Sequence, residues 1–128
     1  MFGADQIVAH FVGDYIFQSH WMATEKTKRS FAALCHAVAY TVPFFFLAGG
    51  WALIVIAASH FVIDRWRLAR HVVWLKNCLN PGLRAGPLTA TGYAEDVPPW
   101  MAVWLLIAAD NTLHLLCNGL AIAYLGGR

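Results

Sequence analysis

Four apolar segments, each close to the length of a membrane-crossing helix, constrain this sequence more than any other feature. They occupy about residues 4–22, 31–48, 51–70 and 99–125. A helix needs about 20 apolar residues to cross a bilayer. Only 12% of the residues are charged, against roughly 25% in soluble domains. The sequence therefore predicts an all-α fold, an integral membrane four-helix bundle that forms a single transmembrane domain over residues 1–128.

The connections between these segments predict the topology. A charged break, TEKTKRS, follows the first segment, a Gly49-Gly50 turn joins the second to the third, and a cytoplasmic loop is predicted at about 71–98. The sequence also allows the third helix to continue to about residue 78. Under the positive-inside rule, two basic loops on one side predict a multi-pass membrane protein with these loops in the cytoplasm and both termini outside. Their basic residues are Lys26, Lys28 and Arg29 after the first helix and Arg65, Arg67, Arg70, Lys76 and Arg84 after the third.

Imidazole and carboxylate side chains interrupt all four apolar segments. There are seven such residues. Six of them form pairs spaced by four residues, which places both members of a pair on one helical face. With alternating helix directions, most of these groups lie in the cytoplasmic half of the bilayer, where they can converge. The seven residues are His10, Asp14, His36, His60, Asp64, Asp110 and His114.

Buried carboxylates in a membrane need a counter-charge. Each costs about 2.5–3.5 kcal/mol at the centre of a membrane helix, and the hydrophobic middles of the predicted helices contain no Lys or Arg. The available sources of this counter-charge are a metal ion, protons, or Arg65 reaching back to Asp64. His and Asp together are typical ligands of divalent metals. We therefore predict that the seven residues bind one or two ions, with zinc favoured and manganese or iron as alternatives.

Other interpretations of these residues stay open at this point. Polar side chains in membrane helices also form hydrogen bonds that join helices, and chains of Asp and His also serve as proton or ion pathways. Gln18 and Asn118 extend the polar faces by one turn, and Tyr40 lies one turn beyond His36. These three are candidates for a second layer that orients the ligands. Hydrogen bonds to neighbouring helices explain Gln18 and Asn118 equally well, and packing or an interface anchor is the more common role of a tyrosine such as Tyr40.

The motifs also resemble those of a known family. HFVGDYIFQSHWMATEK, HFVIDRWR and ADNTLHLLCNG are similar to segments of small membrane proteins encoded by bacteria and their phages, which share a domain of unknown function. The shared pattern is HxxxDxxxQ, a lone His, HxxxD and DxxxH, and the likeness covers nearly the whole chain. Related His and Asp patterns occur in membrane-bound metal-dependent hydrolases. The resemblance therefore implies hydrolysis. It also implies a location in the bacterial inner (cytoplasmic) membrane, which for a phage-borne member is the membrane of the host.

Two functional hypotheses follow. The first is a metal-dependent hydrolase of an amphiphilic or lipid-like phosphate or ester, with Asp14, Asp64 and Asp110 as candidate catalytic residues that bridge the ions. The second is a small bundle stapled by metal that binds a host membrane protein, or a second copy of itself, and modulates it. The formal net charge of +2 is too small to predict a nucleic-acid partner.

Overall fold

The regular secondary structure of the described residues is entirely helical. The computed structural model describes residues 3–79 and 86–126, and no strand occurs within these ranges. Residues 80–85, within the predicted cytoplasmic loop, and residues 1, 2, 127 and 128, within the predicted domain, lie outside the described residues. The helices are α1 (Ala4–Phe11), α2 (His20–Glu25), α3 (Ser30–Thr41), α4 (Gly50–Trp66), α5 (Leu68–Cys78) and α6 (Pro99–Leu125), with a π-helical turn at Val12–Ile16 and a 3-10 turn at Val42–Phe46.

The chain divides into two compact units, where the sequence predicts a single domain. The first unit contains the residues up to Trp66 and those from His114 onwards, and the second contains Arg67–Leu113. Helix α6 contributes its last part to the first unit and its beginning to the second. By length and composition, α6 is the one described helix that is able to cross a bilayer alone, while Ser30–Phe46 forms a shorter apolar helical run.

The interior of the first unit is built largely from small residues. Four buried alanines pack with three large side chains, so the helix backbones can approach closely. Large apolar side chains lie outside instead: Phe46 is 80% exposed, Trp51 74% and Phe31 70%. The buried apolar cluster consists of Ala9, Tyr40, Phe44, Ala48, Ala52, Ile56 and Ala121.

The first predicted helix, residues 4–22, is divided in the structure. Helix α1 passes into the π-helical turn, and a break at residues 17–19 precedes α2. Ser19 ends the break as the N-cap of α2, because its Oγ accepts a hydrogen bond from the Met22 amide at 3.3 Å. The predicted stripe of His10, Asp14 and Gln18 therefore does not lie along one continuous α-helix.

The third predicted helix, residues 51–70, is also divided. Arg67 has a left-handed backbone conformation, with φ of 51° and ψ of 50°, which an α-helix cannot accommodate. Helix α4 consequently ends at Trp66, and α5 occupies the beginning of the predicted loop 71–98. Within the second unit, Asn77 Nδ2 on α5 donates to the carbonyl of Gly92 at 3.1 Å. The region up to residue 78 is thus helical, but as a separate helix.

Candidate metal centre

Four ligand-type residues from three segments of the first unit meet in its interior. Asp14 lies in the π-helical turn, His36 on α3, and His60 and Asp64 one turn apart on α4. The two histidines are completely buried, and Asp14 and Asp64 are 7% and 5% exposed. The one-turn spacing on α4 places His60 and Asp64 on the same inward face. A π-turn is frequently found at functional sites because it changes the direction of a side chain within a helix.

His36 is the central member of this inner cluster. Its Nε2 lies 3.1 Å from Asp14 Oδ1, 3.2 Å from Asp64 Oδ2 and 2.9 Å from His60 Nε2. His60 Nε2 lies 3.1 Å from Asp64 Oδ2 and 3.5 Å from Asp14 Oδ1. Two imidazole nitrogens and two carboxylate oxygens therefore face one another in a small buried volume.

These separations match those of a tetrahedral metal site. Zinc bonds of 2.0–2.1 Å to nitrogen and oxygen place neighbouring ligand atoms about 3.3 Å apart, and five of the six separations here are 2.9–3.5 Å. A hydrogen bond between the two facing imidazole nitrogens satisfies only one donor and one acceptor, whereas a cation can contact all four atoms. The buried cluster of Asp14, His36, His60 and Asp64 therefore has a geometry that can hold a metal ion.

A second layer holds the outer oxygens of the two carboxylates. His114 Nε2 lies 3.4 Å from Asp64 Oδ1, and His10 Nδ1 lies 3.6 Å from Asp14 Oδ2. Both histidines are buried. His10 and His114 thus lie on the outer side of the inner carboxylates, where residues that orient metal ligands are commonly found. Their role as metal ligands stays a prediction.

Tyr40 joins this second layer to the inner cluster. Its hydroxyl lies 2.8 Å from His10 Nδ1 and accepts a hydrogen bond of 2.6 Å from Asn118 Nδ2. Its ring stacks on the ring of His60, with 3.6 Å between centroids. Tyr40 and Asn118 therefore lie beside the inner cluster, and their second-layer role stays a prediction.

Removal of the Tyr40 hydroxyl tests this network. In Tyr40→Phe the ring stays on His60, while His10 Nδ1 and Asn118 Nδ2 lose a buried partner. Unsatisfied buried polar groups cost about 1–3 kcal/mol, so we expect the free energy of unfolding to fall by about 1–2 kcal/mol. Thermal melts in detergent would measure the change. Tyr124→Phe, at an exposed tyrosine of the same unit, is the control, and equal stability of the two variants would contradict the role assigned to the network.

Lys26 is a member of the site that the sequence analysis missed. Its ammonium lies 2.8 Å from Asp64 Oδ2 and 3.3 Å from His36 Nε2. Arg65, the predicted partner of Asp64, instead donates to the Thr27 carbonyl at 2.8 Å and to Ser30 Oγ at 3.2 Å. Lys26 belongs to the charged segment TEKTKRS, whose basic residues are already explained by the positive-inside rule. No sequence signal distinguishes Lys26 from its basic neighbours.

Two predicted site residues are not part of the described cluster of the first unit. Asp110 belongs to the second unit and is half-buried, so its role as a metal ligand and catalytic residue stays a prediction. Gln18 follows the π-helical turn and is half-buried, and its Oε1 has no hydrogen-bond partner among the described residues. A second-layer role for Gln18 also stays a prediction.

Comparison with known proteins gives one match. Residues 4–82 match the family model described as a protein of unknown function, DUF3307. No curated protein and no solved structure matches the chain. The matched region carries all four residues of the inner cluster together with Lys26, His10 and Tyr40, and it covers more than half of the chain. On this match, the chain belongs to the DUF3307 family.

Proposed function

We propose that this chain is a membrane-embedded metal-binding protein, and that its metal centre hydrolyses an amphiphilic phosphate or ester. Asp14, His36, His60 and Asp64 form the centre, and zinc is the favoured ion. The observation that carries the proposal is the set of five separations of 2.9–3.5 Å between ligand atoms contributed by three different segments. Hydrogen bonds between helices require only pairs of partners. Here four ligand atoms from four residues face one another, as the ligands of a metal ion do.

The distribution of side chains supports a membrane location. In the first unit, imidazoles and carboxylates are buried, while Phe31, Phe46 and Trp51 are at least 70% exposed. In water such an exterior would favour aggregation, but in lipid it lowers the free energy because the solvent is apolar. The length and apolar composition of α6 agree with this location. We infer that the other apolar segments accompany α6 in a multi-pass bundle.

The proposed reaction uses the carboxylates of the centre. A bound divalent ion would supply Lewis acidity to a water and to a substrate oxygen. In this reaction Asp64 would accept one proton from the attacking water, whose oxygen forms a bond to phosphorus or to the acyl carbon. The bond to the leaving oxygen breaks, and that oxygen takes up a proton. An apolar exterior and the exposed cations Lys28 and Arg29 suit a substrate with an apolar tail and an anionic head.

One observation favours a second function, that of a metal-stapled bundle which modulates a host membrane protein. Four protein donors complete the tetrahedral shell of zinc and are typical of structural sites, whereas catalytic zinc keeps a position for water. If all four donors bound the ion at once, the metal would stabilise the bundle without activating water. The number of protein ligands therefore distinguishes the two functions.

Elemental analysis of the purified chain tests the premise that both functions share, which is that the chain binds a divalent metal ion. We expect the chain to fractionate with membranes and, in detergent, to retain about one divalent ion per chain that a strong chelator removes. Hydrolysis of phospholipids, polyprenyl phosphates or lipid esters should disappear with the metal and return when it is added back. A chain that neither retains nor binds divalent metal would refute the proposal. A loaded chain without turnover on these substrates would favour the staple.

A further inference from the structure

Three basic residues, Lys26, Lys28 and Arg29, lie between α2 and α3. Of these, Lys26 is the one whose side chain points into the interior of the first unit. Its side chain is 18% exposed, while those of Lys28 and Arg29 are 66% and 71% exposed. The two outer cations both pair with Glu25, at 3.2 Å each. Three basic residues close together in sequence thus have different surroundings, and only Lys26 contacts the ligand cluster.

The loop that carries Lys26 is anchored to α4. Arg65 donates to the carbonyl of Thr27, the residue directly after Lys26, and to Ser30 Oγ at the start of α3. These two bonds fix the backbone on the C-terminal side of Lys26 relative to Asp64, the neighbour of Arg65 in sequence. The ammonium therefore reaches Asp64 from a backbone held in place, rather than from a freely moving surface loop.

Asp64 is consequently held on both of its oxygens. Lys26 binds Oδ2 at 2.8 Å, and His114 lies 3.4 Å from Oδ1. Oδ2 is also the oxygen that faces His36 and His60. An ammonium next to this oxygen reduces the oxygen's capacity to donate an electron pair to a metal ion. In addition, the ammonium and the metal ion repel each other strongly in a poorly solvated interior. Lys26 also approaches His36 Nε2, at the longer distance of 3.3 Å. Among the ion pairs of the described residues, none joins a Lys or Arg to Asp14.

We propose that Lys26 is a positioning residue that keeps Asp64 from completing the ligand shell of the metal. Three protein donors, Asp14, His36 and His60, then hold the ion, and one position stays available to a non-protein ligand. Asp64 is kept beside the ion as an ionised carboxylate that can accept a proton. This inference rests on the proposed metal centre and assigns it to the open, catalytic type of site rather than to the closed, structural type.

Loading with Co²⁺ tests the inference, because the visible spectrum of this ion reports its ligands. In the wild-type chain, azide should bind at the available position and change the spectrum. In Lys26→Met, Asp64 is released to become the fourth protein ligand. We expect Co²⁺ and Zn²⁺ to bind at least about tenfold more tightly to this variant, and azide to leave its spectrum unchanged.

Lys28→Met is the matched control, because it removes the same charge from the same loop at a residue that does not contact the cluster. In metal affinity and in the azide response it should match the wild type, and so should Lys26→Arg, which retains the cation. An azide response in Lys26→Met equal to that of the control would overturn the inference, even if the metal bound more tightly. So would a wild-type spectrum insensitive to azide. If Lys26→Met does not accumulate, Lys26→Gln, which is neutral and keeps a polar side-chain end, is expected to lose the azide response in the same way. A wild-type chain that binds no Co²⁺ or Zn²⁺ would instead refute the metal centre itself.

Discussion

Replacement of His36 by glutamine is expected to weaken metal binding by more than about 100-fold, since even residues that only orient metal ligands contribute 10–100-fold to affinity. His36 Nε2 is the atom nearest to the other three ligand atoms, at 2.9–3.2 Å. The glutamine side chain has a similar volume, so a large cavity is not created. Its amide is a far weaker metal ligand than imidazole.

The measurement compares metal affinity by chelator competition in detergent. His20→Gln is the matched control, because His20 is an exposed histidine in the same unit and at the start of α2. The control should keep wild-type affinity. The helical circular dichroism of His36→Gln shows whether the fold persists, which separates loss of a ligand from loss of the structure. A folded His36→Gln chain with undiminished affinity would show that the ion, if present, binds elsewhere.

The sequence predicted the part of the site that lies on a regular helix. His60 and Asp64 are spaced by one turn in an uninterrupted stretch of α4, and both are buried on one side of it. Helical periodicity is sufficient for this inference because it depends only on 3.6 residues per turn. The all-helical fold was predictable for a similar reason, since long apolar segments with few charges have few other ways to satisfy their backbone polar groups.

The remaining features of the site depend on tertiary contacts. Sequence spacing treats His10 and His36 as equivalent ligands, but one lies behind Asp14 and the other at the centre of the cluster. The π-helical turn and the break before α2 leave no mark in the hydropathy pattern. The approach of Lys26 to Asp64 depends on how the loop folds back over α4. Distances of this kind arise from packing, which a single sequence does not encode in a readable local pattern.

Gly13 provides the second test with a large expected effect, because it allows the π-helical turn to approach α3. A Cβ at this position would lie 2.6 Å from Tyr40 Cδ2 and 2.8 Å from the Tyr40 carbonyl oxygen. The Tyr40 ring could move away only by leaving its stack on His60. The Tyr40 carbonyl could move only with the backbone of α3. Gly13→Ala is therefore expected to lower the free energy of unfolding by about 3 kcal/mol, at the upper end of the overpacking range.

The same substitution should also weaken metal binding, because Asp14 is the next residue and must move with the displaced turn. Gly50→Ala is the control: a Cβ there meets nothing within 4 Å, and alanine favours the helix that begins at this residue. Unfolding in detergent and chelator competition measure the two effects. If Gly13→Ala matched Gly50→Ala in both, the contact with Tyr40 would not be what positions Asp14. If only stability fell, the turn would tolerate displacement while the ligand atoms stayed together, and the metal centre would depend on α3 and α4 more than on the segment that carries Asp14.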